Sequence, residues 1–210
     1  MSEQITAGRP IRVVLADDQD LVRGGLAALL NLEPDLEVVG QAGRGDELED
    51  LVRRTRPDVA LVDIEMPGID GIDATRRIVE AGLGCRCLIV TTFGRPGYLR
   101  RAMDAGAYGF VVKDTPAEQL AQMVRKVAAG QRVVDPALAA DSLAGGIDPL
   151  TERERDVLRA AADGGSIKSV AAALHLSAGT VRNHLSSAIG KTGAETRYEA
   201  ARLARERGWI

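Results

Sequence analysis

Short apolar runs in the first half of the chain constrain the fold most, because each ends in a polar residue of a different kind. Ile11 to Ala16 leads to Asp17 and Asp18; Val59 to Val62 leads to Asp63; Leu88 to Val90 leads to Thr91; Phe110 to Val112 leads to Lys113. Near-continuous apolar runs of this length, alternating with helical patterns, predict strands of a parallel sheet buried on both faces. The carboxyl ends of such strands line a binding crevice. One acid at one strand end is ordinary loop chemistry. Four polar strand ends in succession predict a site.

The residue types define its chemistry. Three carboxylates repel one another in a crevice, so a hard cation must join them, and oxygen-only ligation with water left on the metal points to magnesium. Lys113 is a point charge suited to a phosphoryl oxygen, and the Thr91 hydroxyl can donate to another. Phosphoryl transfer is mostly positioning and charge neutralisation, so a carboxylate nucleophile, a metal, an ammonium and a hydroxyl suffice. Asp63 is the expected nucleophile. It stands alone on its strand and precedes Glu65-Met66-Pro67-Gly68, a turn able to offer a backbone carbonyl to the metal.

The stretch from Asp63 to Asp70 and Gly71, with the Asp17-Asp18 pair, resembles the receiver domain of two-component response regulators over about residues 10 to 130. The resemblance implies phosphorylation of Asp63 by a partner sensor histidine kinase, with Asp17, Asp18, Asp63 and the Glu65 carbonyl on Mg2+. It places Thr91 and Lys113 at the family's hydroxyl and lysine positions and Phe110 at its switch aromatic. Phe110 is read equally well as an ordinary core residue of the last strand.

Composition bounds the rest. At 210 residues, 45% hydrophobic and 27% charged, the chain is ordinary globular protein with room for two domains. No apolar stretch reaches the roughly 20 residues of a membrane helix, and residues 1–10 lack the basic-then-apolar form of a signal peptide, so a soluble cytoplasmic protein with no membrane partner is expected. Cys85 and Cys87 fall on the fourth strand at i and i+2, on one face. Without nearby histidine ligands they read as small buried residues rather than a metal or redox site.

Gly130 to Pro136 stops a helix predicted from Pro116 to Ala129, and a short helix over 137–143 precedes Gly145-Gly146 and Asp148-Pro149, which cannot continue one. Residues 1–130 are therefore read as the receiver domain, 131–147 as a linker and 148–210 as a second domain. The run Gln131 to Ala139 resembles the linker of regulators related to those controlling membrane-lipid desaturation; no regulon follows from it.

Beyond the linker the pattern is helical only. Thr151 caps a helix with Glu154 as its capping-box partner; Ser166 caps a second; His175-Leu176 turns the chain; Ser177 caps a third that Gly193 ends; a fourth runs from Thr196 to Arg207. Two short helices joined by a tight turn predict a helix-turn-helix whose later helix enters the DNA major groove. The predicted class is thus α/β: a doubly wound, five-stranded parallel sheet, flavodoxin-like, with a second, smaller all-α helix-turn-helix domain.

The runs Leu150 to Leu158, Ile167 to Ala171 and Leu176 to Leu185 resemble the DNA-binding domain of the LuxR/NarL group. That resemblance implies Arg182 and Asn183 at base edges, Ser186 at a further base-edge position, and Lys168, Thr180 and Lys191 near phosphates. Arg182 suits guanine and Asn183 adenine, each worth about 1–3 kcal/mol of discrimination. His175 and His184 have no acidic or thiol partner at metal spacing and are not read as ligands. From Asp148 onward ten Lys/Arg face eight Asp/Glu, a net of +2 against −5 for the rest. So weak a footprint on double-stranded DNA implies a homodimer on activation. The stripe Ala200, Ala201, Leu203 is either an exposed dimerisation face or packing under the domain, with Trp209 closing the bundle.

Two other functions share parts of this pattern. Haloacid-dehalogenase-type hydrolases also phosphorylate an aspartate on a parallel sheet, but from an Asp-x-Asp on the first strand; here that strand carries an adjacent pair and the lone acid is on the third. A constitutive DNA-binding protein with a silent receiver is disfavoured by the intact acid, hydroxyl and lysine set. The expected function is a phosphorylation-dependent transcription factor, not an enzyme beyond its own phosphoryl transfer.

Overall fold

The computed structural model describes residues 9–92, 96–135, 138–139, 148–162 and 164–210. The chain divides into two compact units, one built on a sheet and one on the C-terminal helices. In the first, β1 (Ile11–Ala16), β2 (Leu36–Ala42), β3 (Val59–Val62), β4 (Arg86–Thr91), β5 (Gly109–Val112) and β6 (Val133–Val134) alternate with α1 (Asp20–Leu30), α2 (Gly45–Thr55), α3 (Gly71–Glu80), α4 (Pro96–Asp104) and α5 (Ala117–Ala128). All neighbouring strands pair parallel in the order β2-β1-β3-β4-β5-β6. The order reverses at β1 and β3, and in open parallel sheets that switch point is where the crevice forms.

Burial explains the strands. β3 is buried at all four positions and β4 at all but its first, as expected of strands covered by helices on both faces. The helices supply the cover through periodic apolar faces: Leu120, Ala121, Val124 and Val127 of α5 pack with Val13, Leu15, Leu61, Leu88 and Val111 of the sheet. Asp70 caps α3, its carboxylate accepting from the Asp73 N–H at 2.8 Å.

The sheet corrects the expected strand count. The sequence predicts five strands; Val133 and Val134 add a sixth on the edge of β5, opposite Gly109 and Phe110. The pairing occupies backbone groups that would otherwise stand open along that edge. The Cys85 thiol is pushed up by its hydrogen bond with Cys87 and by burial, and it stays neutral; both cysteines are buried, with Cys85 one residue ahead of β4. The short helix predicted over 137–143 lies outside the described residues except for 138–139, which are helical.

The second unit comprises α6 (Glu152–Ala162), α7 (Ile167–Ala173), α8 (Ala178–Thr192) and α9 (Arg197–Glu206). The predicted caps are present: Thr151 Oγ1 accepts from the Glu154 N–H at 3.3 Å while Glu154 Oε2 accepts from the Thr151 N–H at 2.7 Å, and Ser166 and Ser177 cap the next two helices; Thr196 caps the fourth as well. Gly193, at φ 69°, ends α8. One apolar cluster joins Val157, Leu158, Val170, Val181, Leu185, Ala188 and Trp209. Ala200 and Ala201 belong to the same cluster, and only Leu203 of the expected stripe is partly exposed. The face therefore packs under the domain: side chains this small bring α9 close against its neighbours, and Trp209 closes the bundle.

Candidate functional site

Ladder hydrogen bonds continue one residue past the strands and fix the polar ends. The Asp63 N–H donates to the Ala16 carbonyl at 2.8 Å, the Asp17 N–H to Ala42 at 3.1 Å, and the Lys113 N–H to Thr91 at 2.8 Å. Asp17, Asp63 and Thr91 are buried, while Asp18 is exposed at the mouth. Gly71 seals the floor: a Cβ there would lie 1.8 Å from the Asp63 carbonyl oxygen, so only glycine allows α3 to start this close to β3.

Lys113 Nζ bridges two acids, 2.7 Å from Asp17 Oδ2 and 2.8 Å from Asp63 Oδ2. The other carboxylate oxygens take backbone donors, Gln19 N–H on Asp17 Oδ1 at 2.9 Å and Ile64 N–H on Asp63 Oδ1 at 2.8 Å. Burial pushes the Asp63 carboxyl up and the Asp17 charge adds to it, against the opposing pull of Lys113. Burial acts on Lys113 in the opposite sense, but its bonds to Asp17 and Asp63 prevail and its pKa is raised, so it stays charged.

Carboxylate oxygens of Asp17, Asp18 and Asp63 lie within 4.8 Å of one another. One ammonium against three carboxylates leaves negative charge over, and an all-oxygen donor set suits a hard divalent cation. Asp18, Gln19, Asp63, Glu65, Thr91 and Thr92 line a cleft of about 70 Å³ beside the cluster. Glu65 is exposed on its rim, and Phe110 is fully buried on β5.

A second candidate surface lies on α8. Val181, Leu185, Ala188 and Thr192 form its buried face, and Arg182, Asn183 and Ser186 are exposed. Lys168 is exposed on α7, and Thr180, half-buried, lies in the first turn of α8 with its hydroxyl 2.8 Å from Ser177 Oγ. His175, at φ 53°, makes the turn between α7 and α8, and His184 is half-buried. Lys191 is exposed as well but is ion-paired: its Nζ lies 3.0 and 2.7 Å from the two carboxylate oxygens of Glu154 on α6.

Residues 13–125 match the response regulator receiver domain model, and residues 148–204 match that of the bacterial regulatory proteins of the luxR family. The chain belongs to the response regulators. It is 43% identical over 200 residues to the transcriptional regulatory protein DesR of Bacillus subtilis (strain 168), spanning 95% of this chain and 99% of DesR. It is 36% identical to the DNA-binding transcriptional activator DevR/DosR of Mycobacterium tuberculosis (strain ATCC 25618 / H37Rv), across 93% of this chain and 94% of that one. Among solved structures, the response regulator ChrA of a heme-sensing two-component system matches with a TM-score of 0.57 and 34% identity, covering 96% of this chain and 99% of ChrA. This response regulator is accordingly a transcription factor with a receiver and a helix-turn-helix DNA-binding domain. Among the described residues no helix is long and apolar enough to cross a membrane.

Two residues carry more than their sequence positions suggested. Arg23 on α1 donates from Nη1 to the Asp17 carbonyl and from Nη2 to Asp20, pinning the loop that holds both site acids. Nothing in the periodicity of α1 announces this. Glu154 was read as a cap alone, yet it shares the stripe of Val157, Leu158 and Ala161 and is 4% exposed. An acid on a core stripe was the available signal.

Proposed function

We propose that this response regulator is switched by transfer of a phosphoryl group from a sensor histidine kinase to Asp63, and that the switch controls dimerisation and sequence-specific binding to an operator. The observation that carries the reading is the single ammonium of Lys113 held between Asp17 and Asp63, with Asp18 in the same cluster. Asp63 attacks phosphorus as the P–N bond of the donor phosphohistidine breaks, leaving a neutral imidazole once a proton is taken up. Lys113 then exchanges a carboxylate oxygen for a phosphoryl oxygen, and the Thr91 hydroxyl donates to another. Asp17, Asp18, Asp63 and the Glu65 carbonyl are the groups that would hold Mg2+, which when bound neutralises charge on the entering group.

Phosphorylation replaces one carboxylate charge with about −1.5 to −2 and three acceptor oxygens, so Thr91 is drawn toward Asp63. Phe110 is the candidate aromatic of this rearrangement. On the DNA side, Arg182, Asn183 and Ser186 face base edges while Lys168 and Thr180 lie near phosphate. The net +2 of residues 148–210 supports pairing of two copies on DNA. The domain reading, 1–130 receiver and 148–210 DNA-binding, keeps the β6 edge pair within the segment between them. A cytoplasmic location fits this role.

Intact-mass measurement and sedimentation with acetyl phosphate and magnesium test the proposal. One added phosphoryl group, with a monomer-to-dimer shift that Asp63→Ala abolishes, is the expected result. Equal mass and equal sedimentation with and without the donor would overturn it.

A further inference from the structure

Glu154 takes no part in the phosphoryl chemistry, yet three groups donate to its carboxylate. They are the Thr151 N–H at 2.7 Å, Ser187 Oγ at 2.6 Å and Lys191 Nζ at 3.0 and 2.7 Å. A carboxylate this buried keeps its charge only when paired and hydrogen-bonded. Burial opposes ionisation, but the bonds from Lys191, Ser187 and Thr151 hold the carboxyl down to about 2.

The geometry of the three donors matters more than their number. Ser187 and Lys191 are four residues apart on α8, so they lie one above the other on a single line of that helix. Both reach the same carboxylate at the start of α6. Two anchor points along one line fix the rotation of α8 about its own axis as well as its distance. Side-chain tips lie about 5–6 Å from a helix axis, so a rotation of about 20° would move the tips of Arg182 and Asn183 by about 2 Å. Bidentate base contacts do not survive such a shift.

We propose that Glu154 is a positioning residue for α8 and that its ion pair withdraws Lys191 from phosphate attraction, an inference that rests on the DNA-binding reading of that helix. Lys191 then belongs to the internal frame of the domain. Lys168, exposed on α7, remains among the cations that meet DNA.

The test uses the full-length protein on a mixed-sequence duplex and on a duplex selected by the wild-type protein from a random pool. Each phosphate neutralised adds about 0.9 to the slope of log affinity against log salt. The double variant E154Q/K191Q is expected to keep the wild-type slope, while K168Q loses about 0.9. A loss of about 0.9 in the double variant would overturn the withdrawal of Lys191. The preference for the selected duplex over the mixed one is expected to fall about tenfold in E154Q/K191Q with the circular dichroism spectrum unchanged. If that variant does not fold, S187A removes one anchor alone, and its preference should fall about threefold at constant slope. An unchanged preference in a folded variant overturns the positioning role. Wild-type protein that binds neither duplex would instead overturn the DNA-binding reading itself.

Discussion

If Asp63 is the phosphoacceptor, as proposed, its carboxylate has to be buried enough to escape water and charged enough to attack phosphorus. Lys113 reconciles the two by offering its ammonium to Asp63 and Asp17 at once. The floor of the site is equally constrained. Gly71→Ala would press a methyl group into the Asp63 carbonyl, at a cost of about 1–3 kcal/mol and with displacement of the acid loop. Denaturant unfolding should show that loss together with a marked fall in labelling by acetyl phosphate. Thr75 is a contrasting case: its Oγ1 is buried on α3 with no hydrogen-bond partner among the described residues. The near-isosteric Thr75→Val removes an unsatisfied hydroxyl, so stability should rise by about 1 kcal/mol in the same assay, with labelling unchanged.

At the scale of elements, capping residues and strand ends were readable because each obeys a local rule. Ser177 caps α8 through the Thr180 N–H at 3.0 Å, and Ser177→Ala should lower stability by about 1 kcal/mol, measured by thermal unfolding. Four apolar runs with polar ends disclosed the crevice for a similar reason: strand period and sheet topology together bring the ends to one edge. What the sequence left unread or open lies where tertiary contact overrides local pattern. β6 is two residues long, too short for any periodicity to register, and exists because the edge of β5 offers it partners. Ala200 and Ala201 carry no polarity to say which way they face, and helix packing decided. Lys191 looks like any lysine near the end of a recognition helix until its partner, 37 residues away in sequence, is in view. Arg23 is the corresponding case in the receiver. Arg23→Met should weaken magnesium affinity about threefold or more, as followed by titration calorimetry, because the loop carrying Asp17 and Asp18 loses its tie.

At the scale of the molecule, acid should act on the helical unit through Glu154. Its carboxyl lies near 2 in the folded protein against an ordinary 4.5, so its bonds contribute fully above about pH 4.5 and are lost as pH falls from there toward 2. Thermal unfolding of the helical unit is expected to be flat between pH 7 and 5 and to decline below 4.5. E154Q should start lower and show a shallower decline over that range.

The strand that presents Asp63 lies in the interior of the sheet, with β1 on one side and β4 on the other, and all four of its residues are buried. Amide protons of Val59 to Val62 should therefore be among the last of the receiver to exchange with deuterium, opening only when that unit unfolds as a whole. On the proposed reading, the phosphoryl group would arrive at the end of a strand buried on both faces. Its arrival would then not be announced by bending the sheet, and the connections that leave the strand ends would have to report it.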